Sequence, residues 1–126
     1  MEPKTYKTKI ANISYQEPGI LIIKYHKNIC INREDAIELM NLLSSISPTA
    51  CPRIHLYNAE VSYAFEAIQE FSKSKLSKAV AIVVDNPKSK TVLKALNNSF
   101  SSLGFSSPVE FFKNMDEAVQ WAQDFC

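Results

Sequence analysis

The sequence has no apolar run that approaches the roughly 20 residues needed for a membrane-spanning helix. Its first residues, MEPKTYKTK, also lack the apolar core of a secretion signal. These two absences argue against a membrane-embedded or secreted protein. We therefore expect a cytoplasmic protein without a membrane partner.

An excess of charge of one sign is also missing. The chain carries 14 basic and 13 acidic residues, which gives a formal net charge of +1. Such a balance produces no long-range field that would attract nucleic acid or an anionic membrane surface. The charge therefore disfavours a nucleic-acid-binding module, and we predict no nucleic acid among the partners.

Cysteine is sparse, and the motifs that announce a reaction are absent. Cys30, Cys51 and Cys126 are odd in number, widely spaced and not part of any CxxC pair or Cys/His pattern typical of zinc. We predict free reduced thiols, no metal and no cofactor. A GxSxG sequence, which would present a nucleophilic serine on a strained turn, is missing as well.

What the chain does contain is a strand that is apolar on both sides, within Lys78–Asn86 (KAVAIVVDN). Its side chains alternate between two apolar rows, Val80, Ile82 and Val84 on one side and Ala79, Ala81 and Val83 on the other. This pattern is typical of a central strand in a parallel sheet that is covered on both faces. Asn86-Pro87 ends the strand, and a helical pattern follows at once.

Strand and helix patterns alternate along the rest of the chain. Tyr6–Tyr15 alternates in two registers, so it is either a bulged strand or two halves that serve different faces. Further strands are predicted at Ile20–Tyr25, Arg53–Tyr57 and Val109–Phe112. Helices are predicted to start at the capping residues Asn32, Ser62, Asn86 and Asn114. The apolar stripe of the final helix consists of Ala118, Trp121, Ala122 and Phe125. The order ββαβαβαβα predicts one α/β domain over residues 1–126 with a mixed, mainly parallel five-stranded sheet.

Four stretches carry a likeness to a known fold: GILIIKYHKN, NREDAIELMNLL, KAVAIVVDNP and SPVEFFKNMDEAVQWAQDF. With this element order the chain resembles the SpoIIAA-like (STAS/SEC14-type) fold, and especially its small stand-alone bacterial proteins of unassigned function. The resemblance implies helices mainly on one face of the sheet. It also implies a non-catalytic interaction or regulatory module, which is our leading hypothesis for function.

The resemblance also suggests where a regulatory phosphate could sit. Anti-sigma-factor antagonists of this fold are phosphorylated on a serine in an Asp-Ser-Ser-Gly stretch that opens the helix after the third strand. The matching segment here, Tyr57–Ala64, has Ser62 as its only serine and lacks both Asp and Gly. We therefore predict that the Ser62 hydroxyl caps the second helix and is not a phosphoswitch. Lipid-exchange relatives use larger cavities than a chain of this length encloses, so lipid transfer is not predicted.

Ligands of open parallel sheets bind beyond the carboxyl ends of the strands. That edge would collect polar side chains from several connections, namely Tyr25, His26, Asn58, Ser62, Asp85, Asn86 and Ser89. A histidine, an aspartate and a serine suggest an enzyme using a nucleophile and a base. Helix caps and turns explain the same residues, so we assign no catalytic residue and retain an enzyme only as a distant alternative.

The start of the third helix is the other candidate ligand site. Lys88 and Lys90 lie where the free N–H groups and the helix dipole favour acidic residues. A small anion bound by these lysines together with Asn86 and Ser89 would make the arrangement favourable. The alternative is that both lysines simply extend into water.

A third hypothesis concerns self-association. If Ile54 and Leu56 face the helices, then Arg53, His55 and Tyr57 should lie on an open sheet face together with Ala81. Burial of that face against a second copy predicts a homodimer. The competing account has Tyr6 and Ile10 of the N-terminal strand cover the same face within one subunit.

Overall fold

The computed structural model describes residues 5–16, 19–26, 29–47, 49–57, 61–73, 77–84, 87–104 and 107–126. The described strands are β1 (Thr5–Lys7), β2 (Ala11–Gln16), β3 (Ile20–Tyr25), β4 (Ile29–Ile31), β5 (Cys51–Leu56), β6 (Val61–Tyr63), β7 (Ser77–Val83) and β8 (Val109–Phe112). The described helices are α1 (Arg33–Ile46), α2 (Phe65–Ser72), α3 (Pro87–Ser102) and α4 (Met115–Gln123). None of these helices is long and apolar enough to cross a membrane.

The main sheet has six strands in the order β1-β2-β3-β5-β7-β8. The first three pair antiparallel, and β3, β5, β7 and β8 pair parallel. The predicted mixed, mainly parallel α/β sheet is therefore confirmed, with one strand more than expected. β4 and β6 form a separate two-stranded parallel sheet, which the sequence patterns did not indicate.

The additional strand comes from the segment with two registers. β1 turns back on β2, so that Thr5 lies opposite Ser14 in an antiparallel pair. The Thr8 hydroxyl makes the turn: it accepts the N–H groups of Ile10 (3.2 Å) and Ala11 (3.0 Å) and donates to the Ala11 carbonyl. A side-chain turn of this kind reverses the chain, where a bulge would only have bent it.

Helices cover both faces of the main sheet. On one face, α1, α2 and α3 bury a core with the first apolar row of β7. On the other face, α4 buries Ala118 and Ala122 against Ile54, Ala81 and Val83. Three helices lie on one face and one on the other, which confirms the prediction that the helices lie mainly on one face of the sheet. The two apolar rows of β7 contribute to different cores, as their alternation predicts.

The final helix packs as expected, except that its tryptophan is only partly buried. The Asn114 side chain caps α4 by accepting the N–H of Glu117 at 2.9 Å. Ala118 and Ala122 are fully buried, whereas Trp121 lies at the margin between Phe112 and Phe125, with ring centroids 5.6 and 4.8 Å away. The larger ring therefore closes the rim of the α4 core, and the alanines fill its centre.

One predicted helix cap is right and another is wrong. Asn32 makes a full capping box with Asp35 at the start of α1. Ser62 does not cap α2, whose N-cap residue is Ala64, with no side-chain hydrogen bond. The reason is the small sheet: β6 pairs with β4, Ser62 lies opposite Cys30, and the helix begins three residues later.

Candidate functional site

A cluster of polar aromatic side chains lies where β3 and β5 end. The parallel register pairs Ile23 with His55, so the following same-face residues, Tyr25 and Tyr57, come together. Their rings stack with centroids 4.7 Å apart and 7° between the planes, and the Tyr25 ring also stacks on His55 at 5.7 Å. Tyr63 of β6 meets Tyr25 edge-on at 6.5 Å and completes the cluster. We call Tyr25, His55, Tyr57 and Tyr63 the tyrosine cluster.

Hydrogen bonds connect the members of the tyrosine cluster in pairs. The Tyr25 hydroxyl lies 2.8 Å from Nδ1 of His55, and the donor depends on the histidine tautomer. The hydroxyls of Tyr57 and Tyr63 lie 2.5 Å apart. The first pair joins β3 to β5, and the second joins Tyr57, which directly follows β5, to Tyr63 of β6. The cluster therefore connects the main sheet to the small sheet.

Burial keeps the titratable groups of the tyrosine cluster neutral. It raises the pKa of Tyr25 to about 12, although hydrogen bonding with Tyr63 and Tyr57 acts in the opposite direction. It likewise raises the pKa of Tyr57 and that of Tyr63 well above the ordinary value. For His55, burial and then the nearby Arg53 charge lower the pKa to about 3. So weakly basic an imidazole is poorly matched to general-base catalysis near neutral pH.

The predicted open sheet face does not exist. Arg53, His55 and Tyr57 belong to the face that α1–α3 cover, and Arg53 is only 4% exposed. Ala81 lies on the opposite face, fully buried under α4. These four residues therefore cannot form one dimer face, and the homodimer stays a prediction without them.

The competing cover for that face is also wrong. Tyr6 and Ile10 pack with the α1–α3 core, so they are on the other side of the sheet from Ala81. The helix that does cover Ala81 comes from the far end of the chain. Both accounts failed because they assumed that no helix covers the face that carries Ala81.

The other predicted site residues are dispersed. Asn86 lies outside the described residues, as do Asn58 and Asp85. α3 begins at Pro87 as predicted, which puts Lys88, Ser89 and Lys90 in its first turn. The His26 ring turns to the Thr8 carbonyl at 3.2 Å, and Ser62 is exposed on β6, so neither joins the tyrosine cluster. Within the described ranges, no group of three His, Cys, Asp or Glu side chains could hold a metal ion.

A second feature that sequence reasoning missed is an exposed surface where α2 begins. Phe65, the first residue of α2, is 61% exposed, and Glu66 beside it is exposed as well. Cys30 and Ser62, which face each other across the small sheet, are also exposed. We call these four residues the α2-start surface. One signal was available: Phe65 falls outside the apolar stripe of α2, whose buried members are Ala67 and Ile68.

Comparison with known proteins agrees with this fold. The family described as "Domain of unknown function (DUF7793)" matches residues 14–126. The chain belongs to this family. The DUF7793 chain is similar to the crystal structure of an uncharacterized protein of the DUF3478 family, with a SpoIIAA-like fold, from Shewanella loihica PV-4. The TM-score is 0.59 at 15% identity, and the match covers 96% of this chain and 92% of that one.

These matches establish the fold, and they do not assign an activity. The SpoIIAA-like resemblance inferred from the sequence is confirmed over nearly the whole chain. At 15% identity, a structural likeness shows the fold alone. No curated protein matches the chain.

Proposed function

We propose that this DUF7793 protein is a non-catalytic, cytoplasmic interaction module of the STAS-like type, which regulates a partner protein by binding it through the α2-start surface. The observation that carries the proposal is the 61% exposure of Phe65 at the first residue of α2. When a partner protein covers an aromatic side chain that was exposed to water, the burial of its apolar surface favours binding. Aromatic residues are accordingly enriched in protein interfaces.

Exposure alone is common for single apolar residues, so the position of Phe65 matters. It directly follows the segment that matches the phosphorylated stretch of the antagonists that this fold resembles. The Phe65 ring does not contribute to the core, because Ala67 and Ile68 are the residues of α2 that are buried there. The small sheet that leads into α2 also exposes Cys30 and Ser62, which lie opposite each other on β4 and β6.

The tyrosine cluster supports a role other than catalysis. His55 is the titratable side chain most easily imagined as a base, yet its pKa of about 3 makes it a weak one. Its Nδ1 is also engaged by the Tyr25 hydroxyl at 2.8 Å. The cluster therefore serves better as a rigid support for the neighbouring surface than as a reacting centre.

Site-specific crosslinking tests the proposal. A photoreactive phenylalanine analogue replaces Phe65 in one variant and Leu103 in a control, because Leu103 is also a large exposed apolar side chain, at 41%. We expect illumination in the native cells to join position 65, and not position 103, to one protein identifiable by mass spectrometry. The same products from both positions, or none from position 65, would contradict the proposal.

A second candidate is the binding of a small anion at the start of α3. The observation that favours it is that α3 begins at Pro87, which puts Lys88 and Lys90 in the turn where free N–H groups attract anions. We expect inorganic phosphate or a nucleotide to raise the melting temperature saturably, and Lys88→Glu to abolish the shift. Lys78→Glu, at an exposed position on β7, is the matched control. An equal shift in both variants would eliminate this site.

A further inference from the structure

We infer that the hydroxyl contact between Tyr57 and Tyr63 is a latch, which holds the start of α2 against the main sheet and thereby fixes the α2-start surface. The part of this inference that concerns the surface rests on the function proposed above. The part that concerns the latch rests on geometry alone. We refer to Tyr57 and Tyr63 together as the tyrosine latch.

The small sheet needs an anchor beyond its own hydrogen bonds. β4 and β6 have three residues each and pair only with one another among the described strands. An isolated two-stranded sheet is at best marginally stable in water. The small sheet must therefore be held in place by side chains that pack against the rest of the protein. The fully buried side chain of Ile31 is one such anchor on β4.

Tyr63 supplies the corresponding anchor from β6. Its ring meets Tyr25 and Phe71 edge-on, with centroids 6.5 and 5.8 Å away, and its hydroxyl bonds to that of Tyr57. Tyr57 is itself fixed to the main sheet, because its N–H donates to the Val83 carbonyl at 3.1 Å and its ring stacks on Tyr25. The latch therefore joins β6 to two strands of the main sheet.

The hydroxyl contact of the latch is partly buried. A hydroxyl that loses its partner in such a place is only partly compensated by water, so opening the contact costs free energy. Phe65 follows Tyr63 by two residues, and the intervening Ala64 donates its N–H to the Ile31 carbonyl at 2.8 Å. Movement of Tyr63 is therefore transmitted to the first turn of α2 and to β4 together.

Hydrogen exchange tests the latch directly. Tyr63→Phe keeps the ring and removes the hydroxyl, and Tyr57→Phe does the same from the other side. We expect the amides of residues 61–68 to exchange about five- to tenfold faster in each variant, as loss of one such hydrogen bond implies. Tyr6→Phe is the matched control, because Tyr6 is a partly buried tyrosine on the edge strand β1. The double variant should be less than additive, since both changes remove one shared contact.

The outcomes separate the latch from the proposed function. Exchange over residues 61–68 no faster than in the Tyr6→Phe control, or strictly additive effects, would overturn the latch. Faster exchange with crosslinking from position 65 unchanged in Tyr63→Phe would overturn its control of the surface. Absence of crosslinking in the otherwise unchanged protein would count against the proposed function, and the exchange data would still decide the latch.

Discussion

The ring of Tyr25 lies almost parallel to that of Tyr57, with 7° between the planes and 4.7 Å between the centroids. Tyr25 is the last residue of β3 and Tyr57 directly follows the neighbouring parallel strand β5, so the stack lies at the carboxyl end of this strand pair. On the other edge of the cluster, the Tyr25 hydroxyl bonds to His55. Tyr25 thus contributes both ring stacking and a hydrogen bond to the tyrosine cluster.

Removal of the Tyr25 hydroxyl should therefore destabilise the protein measurably. We expect Tyr25→Phe to lower the free energy of unfolding by about 0.5–1.5 kcal/mol, because His55 Nδ1 would lose that hydrogen bond in a partly buried site. Urea unfolding measures the change. Tyr6→Phe, at the sheet edge, should stay within about 0.5 kcal/mol of the unchanged protein. Equal stability of Tyr25→Phe and the unchanged protein would contradict the importance of this bond.

Acid should weaken the fold through His55. Unfolded histidine binds a proton below about pH 6.5, whereas folded His55, with its pKa of about 3, stays neutral until much lower pH. The unfolded state then binds more protons, so the free energy of unfolding falls with decreasing pH between these two values, by at most about 1.4 kcal/mol per unit from this residue. We expect His55→Gln to flatten that dependence in urea titrations. A slope in His55→Gln equal to that of the unchanged protein would contradict the assignment.

A charge placed under α4 should prevent folding. Ala81 is fully buried against the α4 core, where an unpaired carboxylate cannot be solvated. We expect Ala81→Glu to lose the native circular dichroism spectrum. Ala95→Glu, at an exposed position on α3, introduces the same charge and should fold normally. A folded Ala81→Glu protein would show that α4 does not cover this face in solution.

The two helix-cap assignments give opposite expectations for similar substitutions. Asn32→Ala removes a full capping box and should cost about 0.5–2 kcal/mol. Ser62→Ala alters an exposed side chain of β6 that caps nothing, so we expect a change within about 0.5 kcal/mol. Thermal unfolding of both variants measures the difference. A larger loss for Ser62→Ala than for Asn32→Ala would reverse the assignment.

The homodimer remains a prediction that light scattering can decide. Its original reason, an uncovered apolar sheet face, no longer applies, because α4 covers that face. The exposed aromatic ring of Phe65 is a feature that a second copy could bury. We therefore expect any dimer to be disrupted by Phe65→Ser and unaffected by Leu103→Ser. A monomer mass at micromolar concentration would rule out the dimer.

The sequence allowed the main sheet to be predicted because its signals are local and repeated. The two apolar rows of the Lys78–Asn86 segment separate into two cores as their alternation requires. Asn32 and Asn114 cap their helices because capping depends on residues only three positions apart. Neither conclusion required knowledge of distant contacts.

The missed features depend on partners far away in the chain. β4 and β6 are too short to show periodicity, and their parallel pairing joins residues 32 positions apart, such as Cys30 and Ser62. The handedness rule fixes the face of a helix only when a parallel strand follows it, and among the described elements no strand follows α4. Its placement on the opposite face, and hence the cover over Ala81, could not be predicted from the pattern.

The main sheet has a strand order, β1-β2-β3-β5-β7-β8, that repeats the order of synthesis. A chain emerging from the ribosome can therefore add each strand to the most recently formed edge, without leaving a gap for a later strand to enter. The core on the far face forms later, because α4 is translated after all of the described strands, including those that carry Ile54 and Ala81. Until α4 has been translated, Ile54, Ala81 and Val83 lack the helix that covers them in the folded protein. Apolar surface left uncovered in this way favours aggregation.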